Sequence, residues 1–175
     1  MEIEVLRPAE IEQRSMEIIE SELGDTTHLS GAEKLVVKRV IHATADFDYL
    51  VNMKFSRGVC QQVTALFKEA GTGRAGDIHI VTDTKMALSG ISKPAAQKLG
   101  IDLHCFMADE DVAENARLHG TTRALEAVDK AVGLYGDGQL ILVIGNAPTA
   151  LIRVAEHIRA GRIAQVSKAD IFRHH

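Results

Sequence analysis

His42 is the residue in this chain best suited to moving a proton, because histidine titrates near neutrality. It follows Arg39 by three positions, so the two are neighbours on one surface of a helix. They lie in the last helical turns of the run Ser30–Tyr49, SGAEKLVVKRVIHATADFDY, where a cation and an imidazole sit together as the helix ends. Ser15 is a second candidate. It interrupts an apolar stripe, where a serine either bonds to the preceding turn or aims its hydroxyl into a pocket. A lone histidine on a helix is more often a surface or core residue than a catalyst, so pattern alone leaves both residues open between the two readings.

Three further polar clusters suit a charged ligand. TDTKMALSG brings Thr82, Asp83 and Thr84; HGTTR brings Arg123; GNAPTA brings Asn146. Asn146 is placed to cap a helix in which Pro148 falls in the first turn, and the unpaired N–H groups there suit a carboxylate or phosphate. The plainer reading is a well-capped turn. Arg123 offers a fork matched to a carboxylate, although a solvated arginine is the commoner outcome. The glycine-rich GTGRAG, residues 71–76, lacks the Lys-Ser/Thr ending of a phosphate loop and precedes a strand, so it reads as a connector.

The elements that must position these residues follow from periodicity. Pro8 opens a helix to about Leu23, with Ile11, Ser15, Ile18, Ile19 and Glu22 on one side. Ser30 and Glu33 form a capping box for the next helix, which ends near Ala43–Asp48 and passes to a strand at Tyr49–Phe55. Gly58–Ala70 is amphipathic, and Asp77–Thr82 is β-branched as in a strand covered on both faces. Helices at Lys93–Leu99, Glu110–Leu118 and Thr122–Leu134 then alternate with strands at Leu103–Met107 and Gln139–Ile144. That alternation predicts an α/β fold, a mainly parallel sheet between helix layers, with ligands at the carboxyl ends of the strands.

At 175 residues and 46% hydrophobic, the chain can bury a real core as a single domain, residues 1–175. A net charge of −4 gives no bulk attraction to nucleic acid or to anionic membrane. The N-terminus is not a signal peptide, and no apolar run approaches the roughly 20 residues of a span, so a cytoplasmic protein is expected. Cys60 and Cys105 lie too far apart for a CxxC pair and read as small hydrophobes. The terminal His174 and His175 are not read as a metal site.

QRSMEII (Gln13–Ile19), RVIHA (Arg39–Ala43), TDTKMALSGI (Thr82–Ile91), TTRA (Thr121–Ala124) and IGNAPTAL (Ile144–Leu151), in that order, resemble the precorrin-8X methylmutase (precorrin isomerase) family of cobalamin biosynthesis. The resemblance runs from about Arg7 to Gly161. It implies a three-layer α/β/α sandwich, a homodimer, and no dissociable cofactor or catalytic metal. The implied reaction moves a methyl group on a corrinoid tetrapyrrole from carbon 11 to carbon 12, giving hydrogenobyrinate from precorrin-8X or cobyrinate from cobalt-precorrin-8. The family's catalytic histidine matches His42, and its substrate-contacting serine and arginine match Ser15 and Arg39. A substrate with many carboxylates extends the expected site to Thr82, Asp83, Thr84, Arg123 and Asn146.

The stretch Ile163–His175 carries no motif of the family, which usually continues with a strand and a closing helix, so the domain is expected to be short at its C-terminus. The alternative to an active isomerase is therefore a non-catalytic corrinoid-binding protein. A nucleotide-binding enzyme is disfavoured, because no GxGxxG or phosphate loop follows a strand.

Overall fold

The computed structural model describes residues 7–73 and 77–163. Arg74–Gly76 of the glycine-rich connector and the stretch from residue 164, with His174 and His175, lie outside the described residues. Those described form two compact units, one through Gln62 and one from Val63. No helix among them is long and apolar enough to cross a membrane.

The first unit is helical. Helix α1 (Pro8–Glu22) starts with proline in its first turn and a reciprocal Arg7/Glu10 cap. Helix α2 (Gly31–Thr44) starts at the expected box, Ser30 accepting the Glu33 N–H while the Glu33 carboxylate accepts the Ser30 N–H. The two helices bury Ile19, Val37 and Ile41, with Leu23, Leu29, Leu50, Met53 and Phe55 packed against that cluster. On their outer side Glu20 accepts from Lys34 and from Lys38, the latter at 2.9 Å.

The strand expected at Tyr49–Phe55 is instead a single helical turn, α3 (Tyr49–Asn52). Leu50 N–H donates to Phe47 C=O at 3.0 Å and Asn52 N–H to Asp48 C=O at 2.9 Å. A turn satisfies its own backbone, whereas a strand here would need a neighbour to pair with. The stretch also has just one β-branched residue, Val51.

Helix α4 (Val59–Ala70) leads to β1 (Ile78–Thr82). After it come α5 (Lys85–Gly90), α6 (Lys93–Leu99), β2 (Ile101–His104), a 3₁₀ turn at Phe106–Ala108, α7 (Glu110–His119), α8 (Arg123–Tyr135), β3 (Gln139–Val143) and α9 (Pro148–Arg159). Two elements differ from expectation here. The second strand begins at Ile101, because Gly100 closes α6 in the left-handed conformation, and Phe106 and Met107 enter the 3₁₀ turn. Helix α5 was not anticipated; its six residues are too few to show a period, although Thr84 caps it through the Ala87 N–H.

The sheet is parallel throughout, in the order β2-β1-β3. Ile78 pairs with Ile101 on one side and Gln139 on the other. Helix layers cover both faces. Ile78, Ile80, Ala96 and Ile101 form one core, against the second half of α4 and α6. Val81, Phe106, Val112, Ala127 and Ala131 form the other, beneath α7 and α8. The crossover from β1 to β2 uses the first face, and that from β2 to β3 the second. Reversing direction across β1 while keeping both crossovers right-handed requires opposite faces.

Candidate functional site

In the first unit, Ser15 Oγ lies 2.7 Å from His42 Nδ1. Ser15 thus bonds to the imidazole across the helix pair and not to its own preceding turn. Both side chains are half-buried in the wall of a cavity of about 340 Å³. Ile11, Ile18, Ile19 and Glu22, the remaining residues of the stripe read on α1, line it as well, joined by Ile41 and Phe47. Ile11 and Ile18 remain about half exposed, at 53% and 48%, so the cavity offers uncovered apolar surface beside the Ser15–His42 pair.

The packing of α1 on α2 brings Ser15 and His42 together. Ile19 and Ile41, four residues after Ser15 and one before His42, are buried against each other's helices and fix the register in which the hydroxyl meets the ring. Helix α2 then stops at Ala45, which adopts the left-handed conformation (φ 55°) and lines the same cavity. A non-glycine residue in that conformation is held there by its surroundings. Phe47 and Arg14 belong to the cavity wall and were not singled out from sequence. Arg14 adjoins Ser15 and could have been read from that; Phe47 lies past the helix end, where no periodicity reaches.

Arg39 takes a different direction. Its guanidinium binds Glu12 at 2.8 Å and lines a second hollow of about 550 Å³ with Met16, Leu35, Val36, Lys38 and Val40. One turn of helix separates it from His42, but the two side chains line different hollows.

The other candidates belong to the second unit, at the carboxyl ends of β1 and β3. Strand order reverses between these two, which is where open α/β sheets bind ligands. Asp83 is buried, and its Oδ2 accepts the N–H groups of Asn146 at 3.0 Å and Ala147 at 3.1 Å. Asn146 therefore contributes backbone here; the cap of α9 is Ala147, with no side-chain cap bond. Burial pushes the Asp83 carboxyl up, but the backbone N–H groups of Gly145, Asn146 and Ala147 bring it below the ordinary carboxylate value. The approach is close: a Cβ on Gly145 would stand 3.3 Å from Asp83 Oδ1. The chain's own carboxylate thus takes N–H groups at the mouth of α9 that were expected to meet an anionic ligand.

Thr82 is buried, and its hydroxyl donates to the C=O of Thr84 at 2.9 Å. Thr84 caps α5. Arg123 is exposed in the first turn of α8, just after the cap Thr122, whose hydroxyl is 3.0 Å from that of Thr149 in α9. The starts of α8 and α9 are thereby held together. Beneath them Thr121 donates to the buried Glu126 at 2.6 Å.

A family model described as precorrin-8X methylmutase matches residues 10–167, reaching into the stretch from Ile163 that carried no motif. A cobalt-precorrin-8 methylmutase of Leptospira interrogans is 39% identical over 150 residues, 85% of this chain and 64% of that protein. One of Salmonella typhimurium is 36% identical over 157 residues, covering 87% and 71% respectively. The solved structure of a precorrin-8X methylmutase from Thermus thermophilus superposes with a TM-score of 0.72 at 35% identity, covering 87% of this chain and 69% of that one. The chain thus spans just under two thirds of the Leptospira relative's length.

Proposed function

From the premise that the chain belongs to the precorrin-8X methylmutase family, we propose that it is an isomerase moving a methyl group from carbon 11 to carbon 12 of a corrinoid ring. The substrate would be precorrin-8X, giving hydrogenobyrinate, or cobalt-precorrin-8, giving cobyrinate. The observation that carries this reading is the Ser15–His42 bond in the wall of an apolar cavity. A flat macrocycle needs apolar surface to lie on, and its rearrangement needs a positioned proton.

His42 is the proton donor. With Ser15 Oγ accepting from Nδ1–H, the ring keeps that proton in both charge states, and Nε2 is left to give a proton to the macrocycle and recover it. Protonation draws electron density towards the acceptor. The carbon 11–methyl bond breaks as the carbon 12–methyl bond forms, the proton returns to Nε2, and the product has the mass of the substrate. No external nucleophile is consumed.

Ser15 and Arg39 contact the substrate in this reading, Arg39 by exchanging Glu12 for a substrate carboxylate. Thr84, Arg123 and Asn146 form a second set of substrate contacts, with Arg123 the exposed cation; the buried Thr82 and Asp83, expected with them, are taken up by the Thr84 C=O and the Asn146 and Ala147 N–H groups. The protein works as a cytoplasmic homodimer, the state the family resemblance implies.

The test is to mix the protein with enzymatically prepared precorrin-8X, and separately with its cobalt form, following the visible spectrum and identifying the product by mass and NMR. An isomer of unchanged mass with the methyl moved supports the reading. A spectral shift with no new isomer would reduce the protein to a corrinoid binder.

A further inference from the structure

We infer a binding site for a divalent transition-metal ion on the α8 face of the sheet, formed by His79 Nδ1, His104 Nε2 and a carboxylate oxygen of Asp102. Strand register puts them there. Asp102 is the direct partner of His79 in the parallel β1–β2 ladder, and His104 follows two residues along β2, on the same face. The three donor atoms lie within 4.8 Å of one another.

The distances have the span of a coordination sphere. His79 Nδ1 and His104 Nε2 are 3.3 Å apart, and Asp102 Oδ2 is 3.6 Å from His79 Nδ1. Two nitrogens bonded to zinc at 2.0–2.1 Å and meeting at the tetrahedral angle stand about 3.3–3.4 Å apart. For a direct N–H···N bond the same 3.3 Å is long. Two imidazoles with one carboxylate are a borderline donor set suited to zinc and its neighbours, and they leave a fourth position for water.

The imidazoles are held for this. Tyr135 stacks on His79 with ring centroids 3.8 Å apart, and His104 stacks against Phe106 at 5.6 Å. The carboxylate supplies the entrance: the Asp102 side chain is 65% exposed and that of His79 15%. His79 lies four positions along β1 from Asp83, or about 13 Å, while His104 is the last residue of β2, opposite Val81. The donor set uses none of the side chains of the cluster at the carboxyl ends of β1 and β3. A bound ion would tie β2, an edge strand among the described residues, to the central strand.

The test uses the full chain, stripped with chelator and carrying His174→Ala and His175→Ala so that the terminal histidines do not compete. Calorimetric titration with zinc chloride is expected to find one ion per chain at micromolar Kd or tighter, and cobalt chloride to give the visible bands of a four-coordinate nitrogen and oxygen site. His104→Gln and Asp102→Ala should each weaken zinc binding by at least about tenfold, since even outer-shell partners of a ligand are worth that much, and the imidazole by more than the exposed carboxylate. Asp102 is exposed, so its variant remains informative if a histidine variant melts. Unchanged zinc affinity in Asp102→Ala and His104→Gln, or no binding by the parent at millimolar zinc, overturns the site.

Discussion

Ser15 Oγ lies 2.7 Å from His42 Nδ1 although 27 positions separate them in sequence. In the proposed mechanism Ser15 Oγ accepts from Nδ1–H and so fixes the tautomer of the ring. In the proposed reaction, His42→Ala should lower kcat by about 10²–10⁴-fold or more, while corrinoid binding and the circular dichroism spectrum stay close to the parent's. Single-turnover spectra with precorrin-8X measure this; equal turnover removes His42 from the mechanism. Ser15→Ala keeps the imidazole but loses its orientation and a substrate contact, so kcat should fall about tenfold and KM should rise.

Asp83→Ala tests the mouth of α9. It leaves the N–H groups of Asn146 and Ala147 without their acceptor beside a buried site, and should destabilise the protein by about 1–3 kcal/mol in urea unfolding. The pH dependence follows from the direction of the shift. A carboxyl lowered in the folded state adds stability that is present above its unfolded value, near 3.8, and lost as pH falls through the lower folded value. Asp83→Asn should therefore flatten the acid limb of the stability profile below about pH 4.

The packing of α8 on α9 supplies a second acid-sensitive contact. Arg153 grips Asp129 with two bonds, of 2.6 and 2.8 Å, and the buried His157 Nε2 stands 2.5 Å from Asp129 Oδ1. Burial raises the Asp129 carboxyl, but the bonds from Arg153 and His157 bring it below its ordinary value. Its contribution is likewise present above about pH 4 and lost below. Arg153→Met should cost about 1–3 kcal/mol in thermal unfolding at pH 7, and less at pH 3.

Ser30→Ala removes a cap far from the cavity. It should cost about 1 kcal/mol in chemical unfolding and leave the methyl shift unchanged, which separates stability from catalysis.

Legibility in the sequence tracked the distance over which each signal acts. Ser30 and Glu33 are three residues apart, so the start of α2 could be read directly, as could the Ile11–Glu22 stripe that lines the cavity. Tyr49–Phe55 misled because its apolar residues suit a strand and a packed turn equally, and the presence or absence of a pairing partner is not a local property. Asn146 has the chemistry of a cap, but the acceptor at that helix start comes from Asp83, 63 positions earlier. The Ser15–His42 pair was reached through motifs; residue types alone left it open. His79, Asp102 and His104 went unnoticed because only the β1–β2 register makes them neighbours.

That long-range pairing also sets an order of assembly. The sheet can close only when Ile78 finds Gln139, so its central contact spans 61 positions, while the helix pair carrying Ser15 and His42 closes over 27. Loop closure over the longer span costs more entropy before any contact rewards it, and parallel pairing is slow for that reason. On a ribosome the first unit emerges before the β3 residues are made, so the Ser15–His42 pair can form while the sheet still waits for its last strand.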